Sequence, residues 1–292
     1  MKPHLFAATA LSVLGLAGVA AAAETVEIKN AVARVVVIAE PRSDTVYDIH
    51  PGTAALPAFT ISHGLDGRLI IDGHVAGHFV QTCSRRGSAH AVFAVTRPPA
   101  DLTVSLGDRR DVRLAEAPLI VVHTPLQVKV RSDGAVFGAV AYAQSLDLGS
   151  AGCGDWFVGN MTGALEVGSA GSGDIHAGSA GSLRANLAGS GDVTVNRVSS
   201  VSVDLAGSGD VRVLHADGPV HAAIAGSGDL EVLDGHTPRL SAEIAGSGDV
   251  RFEGEADTVD AKIMGSGDVR VGRVKGEVRK AVMGSGSVEV GR

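Results

Sequence analysis

A four-residue phrase, Gly-Ser-Gly-Asp, returns every 18 to 20 residues through the second half of the chain, and it limits the fold more than any other feature. It is first complete at Gly171, Gly173 and Asp174. It recurs at Gly189, Gly191 and Asp192, at Gly207, Gly209 and Asp210, and at Gly226, Gly228 and Asp229. Two further copies fall at Gly246, Gly248 and Asp249 and at Gly265, Gly267 and Asp268. The variant Gly152-Cys153-Gly154-Asp155 precedes the series and Gly284-Ser285-Gly286-Ser287 follows it. A fixed period of this size is the signature of a solenoid, in which each repeat buries its apolar face against the next.

Parity within a repeat identifies the element. Val201, Val203, Leu205, Gly207, Gly209, Val211 and Val213 share one face, while Ser202, Asp204, Ala206, Ser208, Asp210 and Arg212 share the other. Such alternation is the period of a β-strand with one buried side. The same pattern holds from Leu240 to Phe252 and from Val259 to Val271. The glycine pairs fall on the inward parity, where they let the backbone bend sharply or approach the opposite wall of a thin coil. The expected fold is all-β: a parallel β-helix, or β-solenoid, of ~19-residue coils stacked ~4.8 Å apart. A less regular β region precedes it.

The chain divides accordingly. Residues 1–23 have the order of a secretory signal peptide: Lys2, an apolar run from Leu5 to Val19, then Ala21-Ala22-Ala23 before Glu24. Export to a bacterial periplasm or cell surface is the expectation. After that segment no apolar run approaches the ~20 residues that a membrane span needs. Residues 24–100 read as an irregular β region, either a separate cap or the first, degenerate coils of the same solenoid, and 101–292 as the β-helix, with clear repeats from 150. The stretches Leu102–Leu106, Val112–Leu114 and Val128–Val130 read as early coils. A net charge of −7 argues against a nucleic-acid partner.

Cys83 and Cys153 are the only cysteines. In an exported chain they most simply form one disulfide, tying the N-terminal region to the first clear coil; free or intermolecular thiols are the alternatives. The in-register aspartates would repel by ~0.9 kcal/mol per neighbouring pair even in water. Either a cation such as Ca²⁺ relieves them, or the corner supplies hydrogen bonds and Arg212, Arg251 and Arg270 lie close. The hydrogen-bonded corner is the preferred reading, with no metal or cofactor assigned. His74, His78 and Cys83 lie in a glycine-containing loop and do not make a metal-binding spacing. Lys280 falls on the inward parity that Ala242 and Ala261 occupy, either as a charge that blocks edge-to-edge pairing or at a bulge that turns it outward.

The Gly-Ser-Gly-Asp-Val phrases, together with Gly-Ala-Val-Phe-Gly at 134–138 and Ala-Gly-Cys-Gly-Asp-Trp at 151–156, resemble the head GIN domain family. Its members are described as auto-transporter adhesins of bacterial envelopes. The resemblance is specific over 150–292 and looser over 24–149. It implies a β-helical domain and an adhesin-like role, and it carries no catalytic residues to this chain. The expected function is therefore non-enzymatic binding of an envelope protein or glycan, with self-association as a further option. Specificity is expected in the inter-strand segments 214–220, 233–239 and 253–258. A structural spacer is one alternative. A polysaccharide lyase or hydrolase is another, although Trp156 is the only tryptophan available to stack on a sugar.

Overall fold

A computed structural model describes residues 24–75, 80–85, 102–107 and 111–291. Parallel coils of about 19 residues stack into a β-solenoid of roughly nine turns. Each coil lays one strand on each of two faces, joined at the Gly-Ser-Gly-Asp corner. On the first face Val201, Val220, Leu240, Val259 and Val278 stand in register. On the second, Val193, Val211, Leu230, Val250 and Val269 do the same. The inward parity supplies one continuous core between the faces, including Val203, Val213, Ala242 and Phe252, all fully buried. Like stacks on like, so a core residue meets the same type of neighbour above and below.

The two upstream motifs meet in the first coils. Strand Gln127–Ala143 runs through both faces, pairing by its first half with Ser145–Gly152 and by its second with Trp156–Met161. Gly138 stands opposite Trp156, and a Cβ there would come within 2.3 Å of the indole ring. Glycine at 138 is therefore what admits the tryptophan into the core.

The N-terminal region combines coils of the stack with added antiparallel strands. Thr25–Ala39 is already part of the stack, pairing in parallel with Gln127–Ala143 on one side and with Leu69–Asp72 and Leu119–Thr124 on the other. Val46–His50 and Thr60–His63 then pair antiparallel onto those two strands and end the parallel stack. Leu102–Leu106 and Asp111–Arg113, read from sequence as early coils, instead form a three-stranded antiparallel sheet with Val80–Arg85. Alternation alone does not distinguish the two arrangements. The outer surface of the first coils does: Val32, Ala135 and Phe137 face outward and are buried under Val104, Leu106 and Val112 of this appended sheet. Residues 1–23, read from sequence as a signal peptide, lie outside the described residues. Among the described residues no helix is long and apolar enough to cross a membrane.

Two local expectations are resolved by register. Val278–Gly284 pairs with Val259–Gly265 without a bulge, which places Lys280 opposite the buried Ala261 and supports the inward reading. The segments expected to be loops are largely paired. Asp217 stacks on His236, His236 on Glu255, and Glu255 on Arg273, forming a short parallel ladder on a third edge of the coil. The differing repeat lengths are absorbed in part by a register shift between Phe252 and Glu255.

Candidate binding surface

The corner carries the repeat's signature residues, and its chemistry is internal. Each Asp accepts a hydrogen bond on Oδ1 from the backbone N–H of the Asp in the next coil. Asp192 N–H donates to Asp174 at 3.0 Å, Asp210 to Asp192 at 2.9 Å, and Asp249 to Asp229 at 2.7 Å. The series runs from Asp155 to Asp268, where Ser287 donates through both its backbone N–H and its hydroxyl. One carboxylate oxygen per coil is thus committed to a backbone donor that the tight corner would otherwise leave without a partner. The glycines serve the same stacking. A Cβ on Gly209 would come within 2.3 Å of the Gly191 carbonyl oxygen, and one on Gly207 within 2.3 Å of that of Gly189. The close approach is between consecutive coils, not across the coil to its opposite wall.

The arginines do not relieve the ladder as a group. Arg212 and Arg251 both pair with Glu231, at 3.3 and 3.5 Å, and of the three only Arg270 pairs with its own corner Asp, Asp268, at 3.5 Å. The reason is geometric: residues two apart along a strand are ~6.8 Å apart, whereas the next coil is ~4.8 Å away. Burial and the neighbouring carboxylates accordingly push Asp192 and Asp229 above the ordinary aspartate range, although a backbone N–H partly offsets this. A raised folded-state pKa means the fold binds the proton more tightly than the unfolded chain does. This contribution therefore favours folding increasingly as pH falls through the raised value. Asp192→Asn keeps the Oδ1 acceptor and removes the charge, so at pH 7 it should stabilise by about 0.5 kcal/mol. That gain should shrink on acidification as wild-type Asp192 becomes neutral. Asp192→Ala removes the acceptor and should destabilise by about 1 kcal/mol. Urea midpoints of the two variants across pH 4 to 7 check this. An Asn variant as weak as the Ala variant would show that the charge itself is required.

Among the described residues no cluster of three or more His, Cys, Asp or Glu side chains is placed to hold a metal. His74 bonds Thr60 Oγ1 at 2.6 Å, Cys83 is disulfide-bonded, and His78 lies outside the described residues. The disulfide joins Cys83 of the appended sheet to Cys153 beside the first corner. On the third edge His215 lies between Asp217 and Asp234, 2.7 and 3.0 Å from its two ring nitrogens, and His236 lies 3.0 Å from Asp257. These hydrogen bonds hold all three carboxyls below the usual aspartate range. The edge formed by the segments 214–220, 233–239 and 253–258 is thus cross-linked from coil to coil.

The open surface lies on the outside of the first face. A groove of about 700 Å³ crosses six coils there, floored by Ala188, Ala206, Ala225, Ala245, Met264 and Met283. Asp204, Glu243 and Lys262 form its polar border, with Lys262 Nζ 2.8 Å from Glu243 Oε1 on the neighbouring coil. That hydrogen bond lowers the Glu243 carboxyl and raises the Lys262 ammonium. A second recess of about 410 Å³ continues toward the cap, sharing Asn186 and Ala188 and reaching Arg131 and Glu27. The sequence held a signal for this surface: the residue before each glycine pair is apolar although it sits on the outward parity.

A family model described as "Putative auto-transporter adhesin, head GIN domain" matches residues 80–216 and 218–291. No curated protein matches the chain.

Proposed function

Since the chain belongs to the head GIN domain family, whose description names an auto-transporter adhesin, we propose that it is an exported, non-enzymatic binding protein that holds an envelope polypeptide along its first face. The observation that carries this reading is the groove, whose apolar floor continues through six stacked coils beside a border that holds Asp204, Glu243 and Lys262. Contiguous apolar surface rimmed by polar groups is what a protein partner buries. A glycan fits less well, because the groove lining has no aromatic ring for a sugar to stack on. The corner carboxylates, the feature that most resembles an acid–base array, each have one oxygen committed to a backbone N–H group. This supports binding over catalysis.

The test is the double variant Ala206→Glu/Ala225→Glu. Both positions are exposed, so the stack tolerates the added charge, while a partner lying on them does not. Chemical cross-linking to envelope proteins at matched concentration should fall at least roughly tenfold, the consequence of about 1.4 kcal/mol or more lost at the contact. The melting temperature should fall only slightly, because the two added carboxylates stand on neighbouring coils and repel by ~0.9 kcal/mol in water. Undiminished cross-linking would remove the groove as the binding face. If shortening the stack then abolished function while the variant did not, the protein would be a spacer.

A further inference from the structure

The groove floor changes character along its length. Alanine occupies the row at Ala188, Ala206, Ala225 and Ala245, and methionine replaces it at Met264 and Met283. The two methionines stand in register on adjacent coils and are 60% and 73% exposed. Met161, by contrast, is buried in the core at 6%. Two thioethers therefore stand side by side, open to solvent, at the end of an apolar groove that is otherwise floored by unreactive methyl groups. Accessible thioether sulfur is the side-chain group most readily oxidised by peroxides after thiolate, and both cysteines are already joined in a disulfide.

We infer that Met264 and Met283 form an oxidation site that switches this end of the groove from apolar to polar. The inference rests on the groove being the binding face. The reactant is a hydroperoxide. Each sulfur attacks one peroxide oxygen, the O–O bond breaks and an S–O bond forms. The thioether loses two electrons to become a sulfoxide, and the other oxygen of hydrogen peroxide leaves with both protons as water. The product is a strong hydrogen-bond acceptor where the floor had been apolar, so a ligand that buries this floor loses contact with it. The change is reversible in principle by sulfoxide reduction. It leaves the core intact, because both side chains point away from it.

The test uses the full chain, hydrogen peroxide and 8-anilinonaphthalene-1-sulfonate, an anionic dye that brightens on apolar surface. Peptide mapping should show Met264 and Met283 each gaining one oxygen at least roughly tenfold faster than Met161. Dye fluorescence should fall about threefold on oxidation while the melting temperature is retained. The variant Met264→Leu/Met283→Leu should keep the dye signal and lose its response to peroxide. Oxidation of Met161 at a comparable rate, or a peroxide response that survives in the leucine variant, would overturn the inference. If the unoxidised protein did not brighten the dye, or if Ala206→Glu/Ala225→Glu left the brightening unchanged, the groove reading would fail and the switch with it. The ratio of oxidation rates would still decide whether the pair is an oxidation site.

Discussion

Gly209→Ala is expected to destabilise the stack by about 3 kcal/mol, near the upper end for a single substitution. The added Cβ would lie 2.3 Å from the Gly191 carbonyl oxygen, and that oxygen belongs to the backbone of the preceding coil, which cannot rotate away. Relief requires the coils to separate at the corner. Separation would weaken Gly209 N–H to Gly189 O at 3.1 Å, Ser208 N–H to the same oxygen at 3.0 Å, and Asp210 N–H to Asp192 at 2.9 Å. The contrast is Gly168, where a Cβ meets nothing within 4 Å. Gly168→Ala should stabilise by about 0.5 kcal/mol, because the unfolded chain loses freedom and the fold loses nothing. Urea unfolding of both variants, with amide exchange read at the corner, checks the pair. Equal and opposite placement of the effects, with Gly168→Ala the damaging one, would refute coil-to-coil crowding as the reason for the repeated glycines.

The same repeat shows how far the chain could be read before its structure. The parity of Val201, Val203 and Leu205 determines the strand and its buried side, and the constant interval determines the parallel stack. These are local patterns and they are visible in one dimension. The Asp corner was only half legible. The carboxylates' mutual repulsion follows from the period, but the backbone N–H that each one binds depends on which atoms of the next coil the turn presents. The arginines illustrate the same limit, since Arg212 reaches Glu231 on the following coil at 3.3 Å rather than Asp210 on its own. In the N-terminal region the missed signal is the run Val32 to Ile38, apolar on both parities apart from Arg34. A one-sided solenoid strand does not need that. Here the outer side of Val32 is covered by the appended sheet. Strands apolar on both sides announce a second layer.

That second layer is held by the other large effect. Cys83 and Cys153 are separated by 70 residues, and their bond closes the loop that contains the appended sheet. Loop-closure entropy for that length puts its contribution at about 4 kcal/mol. The double variant Cys83→Ser/Cys153→Ser, or reduction of the native protein, should therefore loosen the sheet made by Val80–Arg85, Leu102–Leu106 and Asp111–Arg113. The small core beneath it, with Leu102, Val104 and Phe137, should open too. The damage should stay local. Coils of a solenoid are coupled mainly to their nearest neighbours, so the stack from Val201 onward lies several interfaces from the bond. Hydrogen exchange followed by mass spectrometry should show protection lost over residues 102–106 and 111–113 and kept over 240–284. Uniform loss would mean that the whole chain unfolds as one unit, and unchanged exchange would mean that the apolar contacts alone hold the sheet. A local loss would also separate two roles within one molecule. The disulfide and its sheet cover the outer side of the first coils around Val32 and Phe137, while the groove is lined by first-face residues from Asn186 to Met283, so a reduced protein with its sheet released should still hold a partner along Ala206 and Ala225.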